Sequence, residues 1–156
     1  MTDTAAQFGN DVSLTLVRIL KAPRERVFDA LTNPAALAQW WGPAGCTSPD
    51  PQVDLRVGGA YQLDILGSSG KLNKLSGRYL EVSPPSRLRF TWIWGEGAYA
   101  GVETEVTIEL KEHREGTELS LLQTGFSDQA MADDHNGGWT GCIDCLETLL
   151  QTGDWT

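Results

Sequence analysis

The chain has 156 residues, 40% hydrophobic and 21% charged, with a formal net charge of −9. This size and composition suit one soluble domain with a proper core, while the acidic balance argues against nucleic-acid or anionic-membrane partners, which need clustered Lys and Arg. No stretch reaches the ~18 apolar residues of a membrane span, and three cysteines, an odd count, fit a reducing compartment better than a disulfide scaffold.

Met1 to Asn10 is polar and lacks the basic-then-apolar order of a signal peptide. Residues 1–11 are therefore expected to be a frayed tail before a single domain over 12–156, in a cytoplasmic protein. Val12 to Leu20 alternates as a strand, with Leu14 and Leu16 on one side and Thr15 and Val17 on the other. Pro23 suits the first turn of a short helix to Leu31 whose apolar edge is Val27, Phe28 and Leu31. Asn33-Pro34 repeats the device for a second short helix to Trp41, turning Leu37, Trp40 and Trp41 inward until Gly42-Pro43 ends it.

Val53, Leu55 and Val57 alternate with Asp54 and Arg56 and predict a strand, closed by Gly58-Gly59 as a tight turn or bulge. Tyr61, Leu63 and Ile65 predict the next, and Gly67-Ser68-Ser69-Gly70 an exposed hairpin tip. Strands follow over Leu75 to Val82 and, at strict period two, through Leu88, Phe90, Trp92 and Trp94. After a loop over Gly95 to Gly101, Thr104, Val106, Ile108 and Leu110 form one strand, and Leu119, Leu121 and Gln123 another.

Ser127 reads as the N-cap of a last helix, with Phe126 and Met131 as a hydrophobic staple. This helix should run from about Asp128 to Gln151, roughly 35 Å at ~1.5 Å per residue. Trp139, Ile143, Leu146 and Leu150 recur on it at helical spacing, with Cys142 and Leu149 beside them. Gly137, Gly138 and Gly141 weaken it by ~1 kcal/mol each against alanine, which suggests close approach of a neighbour or a bend. The whole reads as α+β: a curved antiparallel sheet of about six to seven strands, two short helices after the first strand, and one long C-terminal helix over the sheet.

Several segments, in this order, resemble a known family: Ala22-Pro23-Arg24-Glu25-Arg26-Val27-Phe28-Asp29-Ala30-Leu31-Thr32-Asn33-Pro34, the Trp40-Trp41-Gly42-Pro43 run, Asp54-Leu55-Arg56-Val57-Gly58-Gly59, Gly77-Arg78-Tyr79-Leu80-Glu81-Val82, Pro85 through Trp92, and the Gly138-Trp139 helix. Together they resemble the START-like helix-grip superfamily that includes polyketide cyclases and the birch-pollen allergen. Within it they are most similar to the branch named after the activator of heat-shock-protein-90 ATPase, as stand-alone bacterial-type members. The likeness runs from about Ser13 to Leu150. It implies a helix-grip fold with a cavity between sheet and long helix, often for an apolar or aromatic ligand. Fold alone does not fix the ligand.

The residues themselves nominate a site. Tyr61, Leu63, Trp92, Trp94, Thr104, Val106, Gln123, Trp139, Ile143 and Leu146 are expected to line the cavity, since aromatic walls with a few polar tips are what small-molecule pockets use. Thr104 and Gln123, polar residues on apolar faces, are either hydrogen-bonding groups for a ligand or groups wetted at an open strand end. Trp40 is read as plugging the end of the core, with a lid or entrance formed by Trp40, Trp41 and Pro43 as the alternative. Cys142 and Cys145 lie within a helix rather than at its N-terminus, where thiols are activated, and read as packing thiols. His135, with Asp133 and Asp134, reads as a solvated helix face.

No cofactor, metal or catalytic residue is assigned: zinc needs about four ligands, and no nucleophile elbow or phosphate loop occurs. The function expected is non-enzymatic binding of a small hydrophobic or aromatic molecule. One alternative is a co-chaperone-like interaction domain, with a chaperone or a second copy as partner, although no obvious exposed apolar patch is visible in the sequence. The other is a cyclase- or hydrolase-type enzyme, which would need a general acid or base within reach of substrate. The one candidate, Asp64, points outward by strand parity.

Overall fold

The computed structural model describes residues 12–42 and 45–155. The expected tail over 1–11 and the role given to Pro43 therefore lie outside the described residues. The first strand, β1, is Ser13–Leu20. Helix α1, Arg24–Thr32, begins after Pro23, which stands one place outside it with extended backbone. Helix α2, Pro34–Trp40, is capped by the Asn33 side chain, which accepts from the Ala35 N–H at 2.9 Å.

The strands then run β2 (Gln52–Val53), β3 (Ala60–Gln62), β4 (Ile65–Leu66), β5 (Leu72–Asn73), β6 (Leu75–Ser83), β7 (Arg87–Trp94), β8 (Thr104–His113) and β9 (Gly116–Thr124). Seven of them form one antiparallel sheet in the order β1-β9-β8-β7-β6-β3-β2, and β4 and β5 make a separate hairpin. The last helix, α3, is Gln129–Thr152. A long helix lying over a curved antiparallel sheet is the helix-grip arrangement.

Period two along β7, β8 and β9 places Leu88, Phe90, Trp92, Val106, Ile108, Leu110, Leu119 and Leu121 on one buried face. The other face is held by cross-strand ion pairs: Arg87 to Glu81 at 3.0 Å and Arg89 to Glu105 at 2.8 Å. From α3, Met131, His135, Trp139, Ile143 and Leu146 descend on the apolar side of the sheet. At the far end of α3, Arg26 donates to the Gly153 carbonyl at 2.9 Å and stacks over Trp155, 4.4 Å from its ring centre. The Trp155 indole N–H donates in turn to Asp29 at 2.6 Å. The C-terminal end of the helix is thereby tied to α1.

Four local expectations need correction. The strand predicted through Val57 stops at Val53. Residues 54–59 instead turn back, the Gly59 N–H donating to the Arg56 carbonyl, and Leu55 and Val57 are 40% and 65% exposed. Leu80 on β6 is likewise 39% exposed, next to Tyr79, whose backbone pairs with Gly58 and Gly59. The N-cap of α3 is Asp128, whose carboxylate accepts from the Met131 N–H at 2.9 Å, rather than Ser127. A β-carbon at Gly137 or Gly138 would meet nothing within 4 Å, so no neighbour approaches the helix closely at either position. His135 is 7% exposed and lies in the core rather than on a solvated face.

Candidate functional site

Between the N-terminal half of α3, the end of β7 and the β4–β5 hairpin lies a cavity of about 330 Å³, open at one side. Its walls are Trp41, Trp92, Trp94, Trp139 and Tyr99, with Ile65, Gly138 and Cys142 between them. Lys71, Asn73, Glu96 and Asp134 stand around it. Each wall comes from a different element: Trp92 and Trp94 from alternate positions on β7, Trp139 from α3, Trp41 from the residue after α2, and Tyr99 from the loop between β7 and β8. The volume is at the lower end of the range for small-molecule pockets.

The rings hold one another in place. Trp92 lies 5.2 Å from Trp139 and, edge to face, 5.6 Å from Trp94; Trp41 meets Trp139 edge to face at 5.4 Å. Such pairs contribute roughly 0.5–1.5 kcal/mol each beyond their buried area. Their N–H groups are occupied or shut away. Trp41 donates to the Leu63 carbonyl at 3.2 Å, Trp94 to His135 Nε2 at 2.9 Å and Trp139 to Gln123 Oε1 at 2.8 Å. The Trp92 N–H is buried and has no partner among the described residues. All four indoles thus meet the cavity with ring surface rather than with a free donor.

His135 is engaged at both nitrogens, with Nδ1 2.8 Å from the Met131 carbonyl and Nε2 facing Trp94. Since Nε2 accepts, the imidazole is neutral with its proton on Nδ1. Burial holds its pKa below the ordinary histidine value. Tyr99 donates its hydroxyl to Asp134, and that bond raises the phenol pKa.

The Cys142 thiol is pushed up to about 12 by burial, the opposite of an activated nucleophile, and burial raises Cys145 as well. Among the described residues no group of three or more His, Cys, Asp or Glu gathers to hold a metal.

Of the residues nominated from sequence, Trp92, Trp94 and Trp139 meet at this cavity. Tyr61 and Leu63 face a second, small void of about 20 Å³ nearer the sheet centre, which Trp41 and Trp139 also border. Tyr61 reaches across β6 because Gly77 leaves it room: a β-carbon there would sit 2.7 Å from the tyrosine ring and 2.0 Å from the Thr91 carbonyl, to which Tyr61 donates. Val106, Ile143 and Leu146 are fully buried core residues that do not border the cavity.

Thr104 and Gln123 also stand behind the wall, 2% and 0% exposed, so water does not reach them. Gln123 donates to the Thr104 hydroxyl at 2.8 Å while accepting from Trp139, a buried relay that fixes the Trp139 ring. Trp40, 2% exposed and donating to the Ala30 carbonyl at 2.8 Å, plugs the core. Asp64 points away, accepting from the Leu75 N–H at 3.2 Å.

Tyr99, His135 and Gly138 were not nominated, and Trp41, which borders the cavity, entered only as part of the alternative lid or entrance. His135 is findable, because it lies one turn before Trp139 and extends the same stripe back through Met131. Tyr99 carries no such signal, being one aromatic in a glycine-rich loop.

Comparison with known proteins agrees with this architecture. The family model of the activator of Hsp90 ATPase homolog 1-like proteins matches residues 21–151. A solved Chromobacterium violaceum protein is 34% identical, with a TM-score of 0.81 over 90% of this chain and 98% of its own. The AHSA1 protein of Silicibacter pomeroyi is 29% identical, with a TM-score of 0.80 over 89% and 97%. A Nitrosomonas europaea protein is 28% identical, with a TM-score of 0.76 over 90% and 94%. No curated protein matches the chain. No helix among the described residues is long and apolar enough to cross a membrane.

Proposed function

The chain belongs to the activator of Hsp90 ATPase homolog 1-like family and has the helix-grip fold, and from that premise we propose that it binds a small apolar or aromatic molecule without transforming it. The family's fold is that of ligand-binding or co-chaperone-like domains. The observation that carries the finer reading is the cavity walled by four tryptophans and Tyr99. Apolar rings around an unfilled volume bind by excluding water. His135, the side chain best suited to proton transfer near pH 7, has both nitrogens committed to the protein, which favours binding over catalysis. A cyclase- or hydrolase-type enzyme would have to work through the polar groups at the rim, the Tyr99–Asp134 pair, Glu96 or Lys71. The free cysteines fit a cytoplasmic setting.

Gly138 provides the test, since it borders the cavity and a β-carbon there meets nothing within 4 Å. Gly138→Leu should fill the volume and abolish binding of a neutral hydrophobic dye such as Nile red, read by energy transfer from tryptophan, while the circular dichroism spectrum stays native. Gly137→Ala, on the exposed side of the helix, should stabilise the protein by about 0.5–1 kcal/mol and leave binding unchanged. Equal dye affinity in Gly138→Leu and wild type would remove the cavity from consideration.

The exposed apolar side chains of Leu55, Val57 and Leu80 support a second reading, docking to a chaperone as the family's name implies. Stimulation of a chaperone ATPase that is lost in Val57→Glu would favour it.

A further inference from the structure

We propose, building on the cavity reading above, that the molecule held is a lipophilic organic cation: a quaternary or protonated ammonium on an apolar or aromatic body. The walls determine this by what they withhold. Trp41, Trp94 and Trp139 spend their N–H groups on Leu63, His135 and Gln123, and the Trp92 N–H is buried. Both His135 nitrogens are taken, and the Tyr99 hydroxyl is given to Asp134. An anionic ligand would therefore find only Lys71 and the Asn73 amide as side-chain donors, beside two carboxylates.

A cation finds the reverse. The electron-rich faces of indole rings attract ammonium ions, most strongly where water is excluded. Glu96 and Asp134 border the same cavity against the single ammonium of Lys71. The formal net charge of −9 adds an attractive field for cations at the mouth. A neutral molecule of the same shape gains burial alone.

The test uses the full chain and three molecules of nearly one shape: benzyltrimethylammonium, its carbon isostere neopentylbenzene, and the anion phenylmethanesulfonate. Affinities are read by calorimetry and tryptophan quenching. The cation should bind at least about tenfold more tightly than neopentylbenzene, with the sulfonate weakest. Its advantage should shrink as salt rises from 0.02 to 0.5 M, because the charges stand at an open mouth. Glu96→Gln and Asp134→Asn, which keeps an acceptor for Tyr99, should each reduce the advantage several-fold, and Lys71→Gln should increase it.

Binding of neopentylbenzene as tight as that of the cation overturns the charge assignment and leaves the cavity reading standing. So does a preference for the sulfonate that is lost in Lys71→Gln. If none of the three binds and Nile red also fails, the cavity reading falls and this proposal with it.

Discussion

Replacing Gln123 by leucine keeps the bulk of the side chain and removes both hydrogen bonds of the buried relay. In the native protein the amide accepts from Trp139 and donates to Thr104, each at 2.8 Å, with no solvent exposure. Leucine leaves the Trp139 N–H without an acceptor in a place water cannot reach, a loss of about 1–3 kcal/mol. The Thr104 hydroxyl loses its donor but can rotate, which adds about 1 kcal/mol. The sum, about 2–4 kcal/mol, should appear as a lower urea midpoint with an unchanged m-value.

Trp139→Phe supplies the second arm, because a phenyl ring has no N–H to orphan. In that background Gln123→Leu should cost only about 1–2 kcal/mol, giving a coupling energy of about 1–2 kcal/mol. If the two substitutions add within about 0.5 kcal/mol, the relay does not hold Trp139, and the wall it is said to position rests on packing alone.

His135 makes stability depend on pH. Burial holds its pKa in the fold below the ordinary value of about 6.5. As pH falls through about 6.5, the unfolded chain takes up a proton that the native imidazole refuses, so stability declines until the lower native pKa is reached and is flat above the window. His135→Phe should remove that part of the slope in urea midpoints between pH 5.5 and 7.5; identical slopes would refute it. The Cys142 thiol, pushed up to about 12 by burial, should be the last of the three cysteines alkylated by iodoacetamide at pH 8. Peptide mass spectra showing it modified as fast as Cys46 would contradict its placement.

How far the sequence could be read depended on what kind of force placed each residue. Period two in β7 and β8 and the stripe from Trp139 to Leu150 reflect burial along one element, and both were legible. The same signal misled at Val57, where an alternating pattern lies in an exposed turn between Asp54 and Gly59. Gln123 and Thr104 showed themselves as polar residues on apolar faces, but their purpose became clear only when β8, β9 and α3 brought the amide, hydroxyl and indole together. The cavity mouth was the least legible part. The Tyr99 loop and the hairpin carrying Lys71 and Asn73 are positioned by tertiary contacts such as Tyr99 to Asp134, across 35 positions of chain, which no local pattern encodes.

Arg26, Asp29 and Trp155 make the long helix a beam built in at one end. Its C-terminal turn is fastened by two side-chain hydrogen bonds and a stacked ring, while the end bordering the cavity carries Gly137, Gly138 and the Asp134–Tyr99 latch. A load applied at the cavity end has its longest lever arm at the anchored turn, where Arg26, Asp29 and Trp155 resist it. At the cavity end the buried face is pinned by His135 to Trp94 and by Trp139 to Gln123, so the give that Gly137 and Gly138 lend the helix is confined to its outer side, and the opposite end serves as the foundation.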